Sequence, residues 1–176
     1  LGPLTHSKVL GTGSGVDVIP ADLLASNGAA STKAAKDFIA DTYAKGLVPI
    51  KQSEFDEAMG MAEAVLAHPI ARALFEQEGD AEASVFATDP DSAVGMRARF
   101  DFLPNFMQND PWTVDLKTTG KSAAPDEFAK TVANFQYHVQ QEFYLHAYGI
   151  VTGDFTARMK FVVVETAAPH LVGVYE

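Results

Sequence analysis

The spacing of apolar and polar residues divides the chain into a helical first half, a run of strands, one long helix and two closing strands. Leu4, Val9 and Leu10 support a helical turn within residues 1–11, and residues 12–31, rich in Gly, Ser and Asp around one short apolar run at 16–19, read as a surface loop. Its Gly11-Thr12-Gly13-Ser14-Gly15 has no following Gly-Lys-Ser/Thr, so it is no P-loop. Thr32 is placed to cap a helix reaching about Ala44, with Ala35, Phe38, Ile39 and Thr42 on one face and Gly46 as its stop. Ser53-Glu54-Phe55-Asp56 opens another, whose Phe55, Met59, Ala62 and Leu66 make an amphipathic stripe. His68-Pro69 ends it, because the residue before Pro is pushed out of the helical region, and residues 70–75 make a further short helix.

From Ala81 the period changes to two: Glu82, Ser84 and Phe86 alternate with Ala83, Val85 and Ala87. A turn at 89–92, a strand over 94–101, a loop bracketed by Pro104-Asn105 and Gln108-Asn109-Asp110-Pro111, and a strand over 112–117 together predict an antiparallel meander. Pro125-Asp126-Glu127 then opens a helix expected to run to about Tyr148 and to stop at Gly149. Phe128, Val132, Phe135, Val139 and Phe143 are its expected buried stripe. Gln136, Gln140 and Tyr144 form a neighbouring polar stripe that could face the strand carrying Asp115. Residues 158–165 and 171–175 read as strands, the first apolar enough for a sheet centre.

Composition narrows the class. A chain of 176 residues with 47% hydrophobic content can bury one sizeable core, so residues 1–176 are expected to form a single domain, with flanking sequence missing at both ends. No apolar run is long enough to span a membrane, and a soluble cytoplasmic protein is expected. The chain contains no Cys, which removes disulfides, thiolate catalysis and Cys-held metal centres and leaves His and carboxylates as ligands. A net charge of −10 and a pI near 4.8 argue against a general nucleic-acid coat protein. A DNA enzyme remains compatible, because a metal offsets the acids gathered around it.

The candidate chemistry lies in Asp101 and in the strand Trp112-Thr113-Val114-Asp115-Leu116-Lys117. Strand alternation puts Asp115 and Lys117 on one face and Val114 and Leu116 on the other. Two carboxylates at the ends of consecutive strands suit Mg²⁺, which takes one or two protein carboxylates and fills its octahedron with waters and substrate oxygens. Lys117 could orient the attacking hydroxide or stabilise the phosphate. A surface ion pair is the other reading of Asp-x-Lys.

The run Glu82…Arg97-Ala98-Arg99-Phe100-Asp101…Val114-Asp115-Leu116-Lys117-Thr118-Thr119…Tyr137-His138-Val139-Gln140-Gln141-Glu142-Phe143-Tyr144 resembles the RecE-like (exonuclease VIII type) branch of the PD-(D/E)xK nucleases. The Leu4-Thr5-His6 segment resembles that branch's early histidine motif, and Glu165-Thr166-Ala167-Ala168-Pro169 its late strand and turn. The resemblance implies an α/β (α+β) fold with a restriction-endonuclease-like core, a central mixed sheet flanked by helices. It implies His6, Glu82, Asp101 and Asp115 around Mg²⁺ or Mn²⁺, Lys117 as catalytic lysine, and Gln140 with Tyr144 as a Gln-x-x-x-Tyr motif touching substrate. Each also has a structural reading: a helix histidine for His6, a solvated strand acid for Glu82, a helix-surface hydrogen bond for Gln140 and Tyr144. Arg97, Arg99, Thr118 and Thr119 are the expected DNA contacts.

Two departures stand out. Phe100 occupies the position before Asp101 where the family pattern has Pro, and relatives that hold an iron–sulfur cluster through cysteines are excluded on composition. The resemblance implies a 5′→3′ exonuclease on linear double-stranded DNA in the cytoplasm of a bacterium or phage-infected host, serving phage or prophage recombination, as a homo-oligomer working beside a single-strand annealing protein. An endonuclease or single-strand nuclease with the same site, or a non-catalytic DNA-binding protein of the same fold, are the alternatives.

Overall fold

The structure, a computed structural model, describes residues 2–105 and 112–176. The expected loop positions Gln108 to Pro111 lie outside them. The chain begins with α1 (Gly2–Leu10), then β1 (Val16–Val18), α2 (Lys33–Ala44), β2 (Val48–Ile50), α3 (Gln52–Ala67) and α4 (Pro69–Phe75). Next come β3 (Gly79–Thr88), β4 (Gly95–Pro104), β5 (Trp112–Thr119), α5 (Pro125–Phe135), α6 (Tyr137–Thr152), β6 (Arg158–Glu165) and β7 (Val172–Tyr175).

Local rules explain most of these boundaries. Thr32 caps α2, its hydroxyl accepting the Ala35 N–H at 3.0 Å, and Gly46 at φ 74 turns the chain away. The Glu54 carboxylate accepts the Lys51 N–H at 3.1 Å at the start of α3. His68 is a structural histidine, its Nδ1 accepting the Ala71 N–H at 3.2 Å where α3 gives way to α4. Two expectations fail in this half. The apolar run inside the supposed loop is a strand, because Val16 and Val18 pair in parallel with Val48 and Ile50. The fully covered face of α3 carries Ala58, Met61, Ala62 and Val65, sharing Ala62 with the expected stripe while Phe55 packs at its edge, since α1 and the sheet, not periodicity alone, choose the covered side.

The main sheet has five strands in the order β3-β4-β5-β6-β7. The expected meander of β3, β4 and β5 is antiparallel, β5 and β6 run parallel, and β7 returns antiparallel. A parallel pair needs a long crossover, which α5 and α6 supply. The two faces carry separate cores. Leu4, Met61, Val65 and Leu74 pack with Phe102, Val114, Leu116, Val162 and Val164 on one side. Phe128, Ala147 and Tyr148 pack with Phe100, Met159, Phe161 and Val163 on the other.

The expected single long helix is two. Gln136 takes left-handed angles, φ 55 and ψ 40, which end α5 and start α6 at a new phase. The predicted apolar stripe is therefore split: Phe128 is buried, but Phe135, Val139 and Phe143 are 69%, 51% and 41% exposed. Tyr137, Gln140, Tyr144 and Tyr148 turn towards the sheet instead. Gly149 does not stop the helix either. It lies within α6, where a Cβ would collide with the ring of Phe155, and the stop is Gly153 at φ 77.

Candidate active site

The site forms where the sheet comes apart. Phe102–Val114 is the single register pair between β4 and β5 among the described residues, whereas β5 pairs with β6 along its whole length. At the fork, Ala81–Phe102 and Ala83–Phe100 pair across β3 and β4, but the intervening Glu82 and Asp101 do not, and Glu82 takes φ 53. The break turns the strand over: Phe100 enters the core under α6, and Phe102 enters the one under α1, α3 and α4. Asp101 is thereby freed from the ladder. Its Oδ2 accepts the Leu116 N–H at 2.7 Å, replacing a strand-to-strand bond with a carboxylate held at the mouth of the fork.

Asp115 lies behind that mouth, 3% exposed. Its Oδ1 accepts the Gln140 amide at 2.7 Å, and the Gln140 Oε1 accepts from Lys117 Nζ at 3.1 Å. Lys117 Nζ also stands 2.7 Å from Asp115 Oδ2, forming an ion pair with it. Burial pushes the Asp115 carboxyl above the ordinary carboxylate range; Lys117 pulls it back, and the neighbouring Asp101 charge pushes it up again. The surface-ion-pair reading does not hold for this Asp-x-Lys, because a side chain on another element bridges both members in a buried setting.

On the α1 side, His6 Nδ1 is 2.7 Å from the Gly2 carbonyl, to which it can only donate, and Nε2 faces Asp101 Oδ2 at 3.2 Å. A neutral imidazole with its proton on Nδ1 points its Nε2 lone pair at a carboxylate, an arrangement that needs a proton or a cation between them. Burial alone would lower the His6 pKa, but Asp101 and the carbonyls of Gly2 and Leu116 outweigh it and leave it raised. Gly2, Pro3, His6, Glu82, Arg99 and Asp101 line one hollow of about 260 Å³.

The structure thus brings together His6, Glu82, Arg99 and Asp101 on one side of the fork and Asp115, Lys117 and Gln140 on the other. Arg97 shares the exposed β4 face but stacks over Phe86 at 5.6 Å, away from the carboxylates. Tyr144 sits one turn beyond Gln140, edge-on to Phe100 at 5.3 Å, half-buried against the core. Thr118 lies beside Gly2 at the start of α1, and Thr119 Oγ1 accepts the Lys121 N–H at 3.1 Å in the turn after β5. Leu116 carries no residue-type signal of taking part, because its contribution is a backbone amide and carbonyl that any residue could supply.

A family model described as "PDDEXK-like domain of unknown function (DUF3799)" matches residues 21–176. The chain belongs to this PDDEXK-like family. Its fold is shared by a crystal structure from Eubacterium rectale named "Putative exonuclease", with a TM-score of 0.51 and 10% sequence identity. The alignment covers 81% of this chain and 52% of that one, so this chain spans about half the length of that relative. No curated protein matches the chain. Among the described residues, no helix is long and apolar enough to cross a membrane.

The donors in this PDDEXK-like site fit a hard divalent cation. Asp115 Oδ2 is buried with the Lys117 ammonium beside it, Asp101 offers a second carboxylate, and His6 Nε2 faces that carboxylate at 3.2 Å. Among the described residues no three His, Asp or Glu side chains enclose an ion unaided.

Proposed function

We propose that this domain is a divalent-metal-dependent DNA nuclease, acting as a 5′→3′ exonuclease on linear double-stranded DNA and leaving 3′ overhangs for recombination. One observation carries the reading: two carboxylates at the fork, one facing the His6 imidazole and the other tied through Gln140 to Lys117. Family membership and the shared fold support it.

In this reading Asp101 and Asp115 hold Mg²⁺ or Mn²⁺, with His6 as a third donor and Glu82 beside them in the hollow. The bound ion supplies a more acidic water and charge stabilisation for the phosphate oxygens. Lys117 presents an N–H to the phosphate or to the attacking water, and Gln140 fixes where that ammonium stands. Hydrolysis adds the water oxygen to phosphorus, breaks one P–O ester bond and leaves a proton on the departing sugar oxygen. Arg99, in the same hollow, pairs with a phosphate bidentately. Arg97, Thr118 and Thr119 guide the backbone further out, and Tyr144 supports Gln140 from within the helix.

The test is a linear duplex labelled separately at each end, placed beside a closed circle, with Mg²⁺ or with chelator. Metal-dependent release from 5′ ends with circles intact is expected. Cut circles would make the domain an endonuclease, and no cleavage of any substrate in Mg²⁺ or Mn²⁺ would overturn the enzyme.

A further inference from the structure

Lys117 has a third neighbour that the Asp-x-Lys and Gln-x-x-x-Tyr motifs do not account for. Its Nζ lies over the ring of Tyr137, 4.5 Å from the centroid. The left-handed Gln136 makes this possible, because it resets the helix phase so that the first residue of α6 turns towards β5. The ring is held on its own account. It stacks on Phe161 at 5.9 Å with 22° between planes and on Phe135 at 5.7 Å with 19°, and Phe128 tilts against it at 6.4 Å.

We propose that Tyr137 is a positioning residue for the Lys117 ammonium, holding it at the fork through its ring face. The claim takes its catalytic meaning from the nuclease reading but stands on geometry independent of it. A ring face attracts an ammonium through its quadrupole while accepting none of its N–H groups in a lone pair. Asp115 and Gln140 engage Lys117 from the carboxylate side, so the ring holds the charge without using up the donor intended for substrate. It also persists where Asp115 does not. Any cation drawn to Asp115 Oδ2 weakens the Lys117–Asp115 ion pair, and the Tyr137 face is the contact that such competition leaves in place.

The test uses the whole chain labelled with ¹³C-lysine. The Lys117 CεH₂ signal, assigned by its loss in Lys117→Arg, is expected upfield of the exposed lysines because it sits over a ring. Assignment matters, since Lys8 and Lys160 also lie over rings, at 5.4 Å from Phe55 and 3.6 Å from Trp112. Tyr137→Phe should keep the shift, Tyr137→Leu should abolish it, and Asp115→Asn should leave it. In the nuclease assay Tyr137→Leu should lower kcat roughly tenfold at unchanged KM, the size of a partly desolvated cation–π contact, and Tyr137→Phe should restore it. An unshifted Lys117 in the parent, or Tyr137→Phe matching Tyr137→Leu, overturns the proposal. Should Tyr137→Leu unfold, the parent signal and its survival in Tyr137→Phe decide the question. A parent with the shift but no cleavage would overturn the nuclease reading and leave the Tyr137 contact standing.

Discussion

The two sides of the fork are built differently. On the α6 side Asp115, Gln140 and Lys117 form a closed network in which the amide of Gln140 donates to one partner and accepts from the other. On the α1 side His6 and Asp101 meet as two acceptors unless something positive stands between them, and Glu82 beside them is exposed. One half is organised by the protein's own groups before any ligand arrives. The other is completed by a proton or a cation. In the proposed nuclease the halves divide the work: positioning of a cationic side chain on one, capture of a cation on the other.

Variants that break each half should separate these roles. The largest effect is expected for Asp115→Asn, which serves both halves: cleavage should fall by on the order of 10²–10³-fold or more, as when a group that stabilises transition-state charge is lost. Release of labelled nucleotides measures it, and a variant cleaving within a few-fold of the parent would remove Asp115 from the site. Gln140→Ala should come next. It strips a partner from both Asp115 and Lys117, and the unsatisfied buried oxygen should cost about 1–3 kcal/mol in urea-melt stability, along with a loss of kcat. If stability falls but kcat does not, the network is structural only.

His6→Gln tests the open half. The Mg²⁺ concentration giving half-maximal activity should rise by roughly 10–100-fold while kcat at saturating Mg²⁺ stays near the parent's. Mg²⁺ should raise the melting temperature of the parent, chelator should reverse that, and Asp101→Asn should be insensitive to both. The smallest effect is expected far from the fork, where Asp89 pairs with His146 of α6 at 3.0 Å. Hydrogen bonds from Ser92 and His146 hold the Asp89 carboxyl well below the usual carboxylate range. A lowered folded value means that its stabilisation is present above the unfolded value of 3.8 and is lost as pH falls through the lowered one. Asp89→Asn should therefore flatten the acid limb of a stability–pH curve slightly and leave cleavage at neutral pH alone.

Much of this architecture was legible in the sequence because it rests on local rules. Thr32 caps where a capping residue should, His68-Pro69 ends its helix, and the period-two run from Ala81 is a strand. The site followed from alternation: Asp115 and Lys117 share a face because a strand puts them there, and Gln140 meets them as the polar stripe suggested. What failed depended on non-local packing. Gln136 carries no Gly or Pro signal, so its left-handed turn, and with it the exposure of Phe135 and Val139, could not be read from residue types. Gly149 looked like a stop, but a ring from the following loop claims the space beside it. The turning-over at Asp101 was equally hidden, because Phe100 and Phe102 look like two members of one apolar face and belong to opposite ones.

The parting of β4 from β5 also divides the molecule mechanically. Among the described residues, pairing runs along β3–β4 except at Glu82 and Asp101 and along β5–β6–β7, but across the seam the backbone is joined at Phe102–Val114 and by the stitch from the Leu116 amide to Asp101. Regions joined by few backbone bonds can open as separate cooperative units. Each half of the hydrogen-bonded sheet then carries one of the two acids, so the spacing between the acids is set by how far the seam yields. The Leu116 amide proton lies on that seam, and its exchange with solvent reports the opening from within the site.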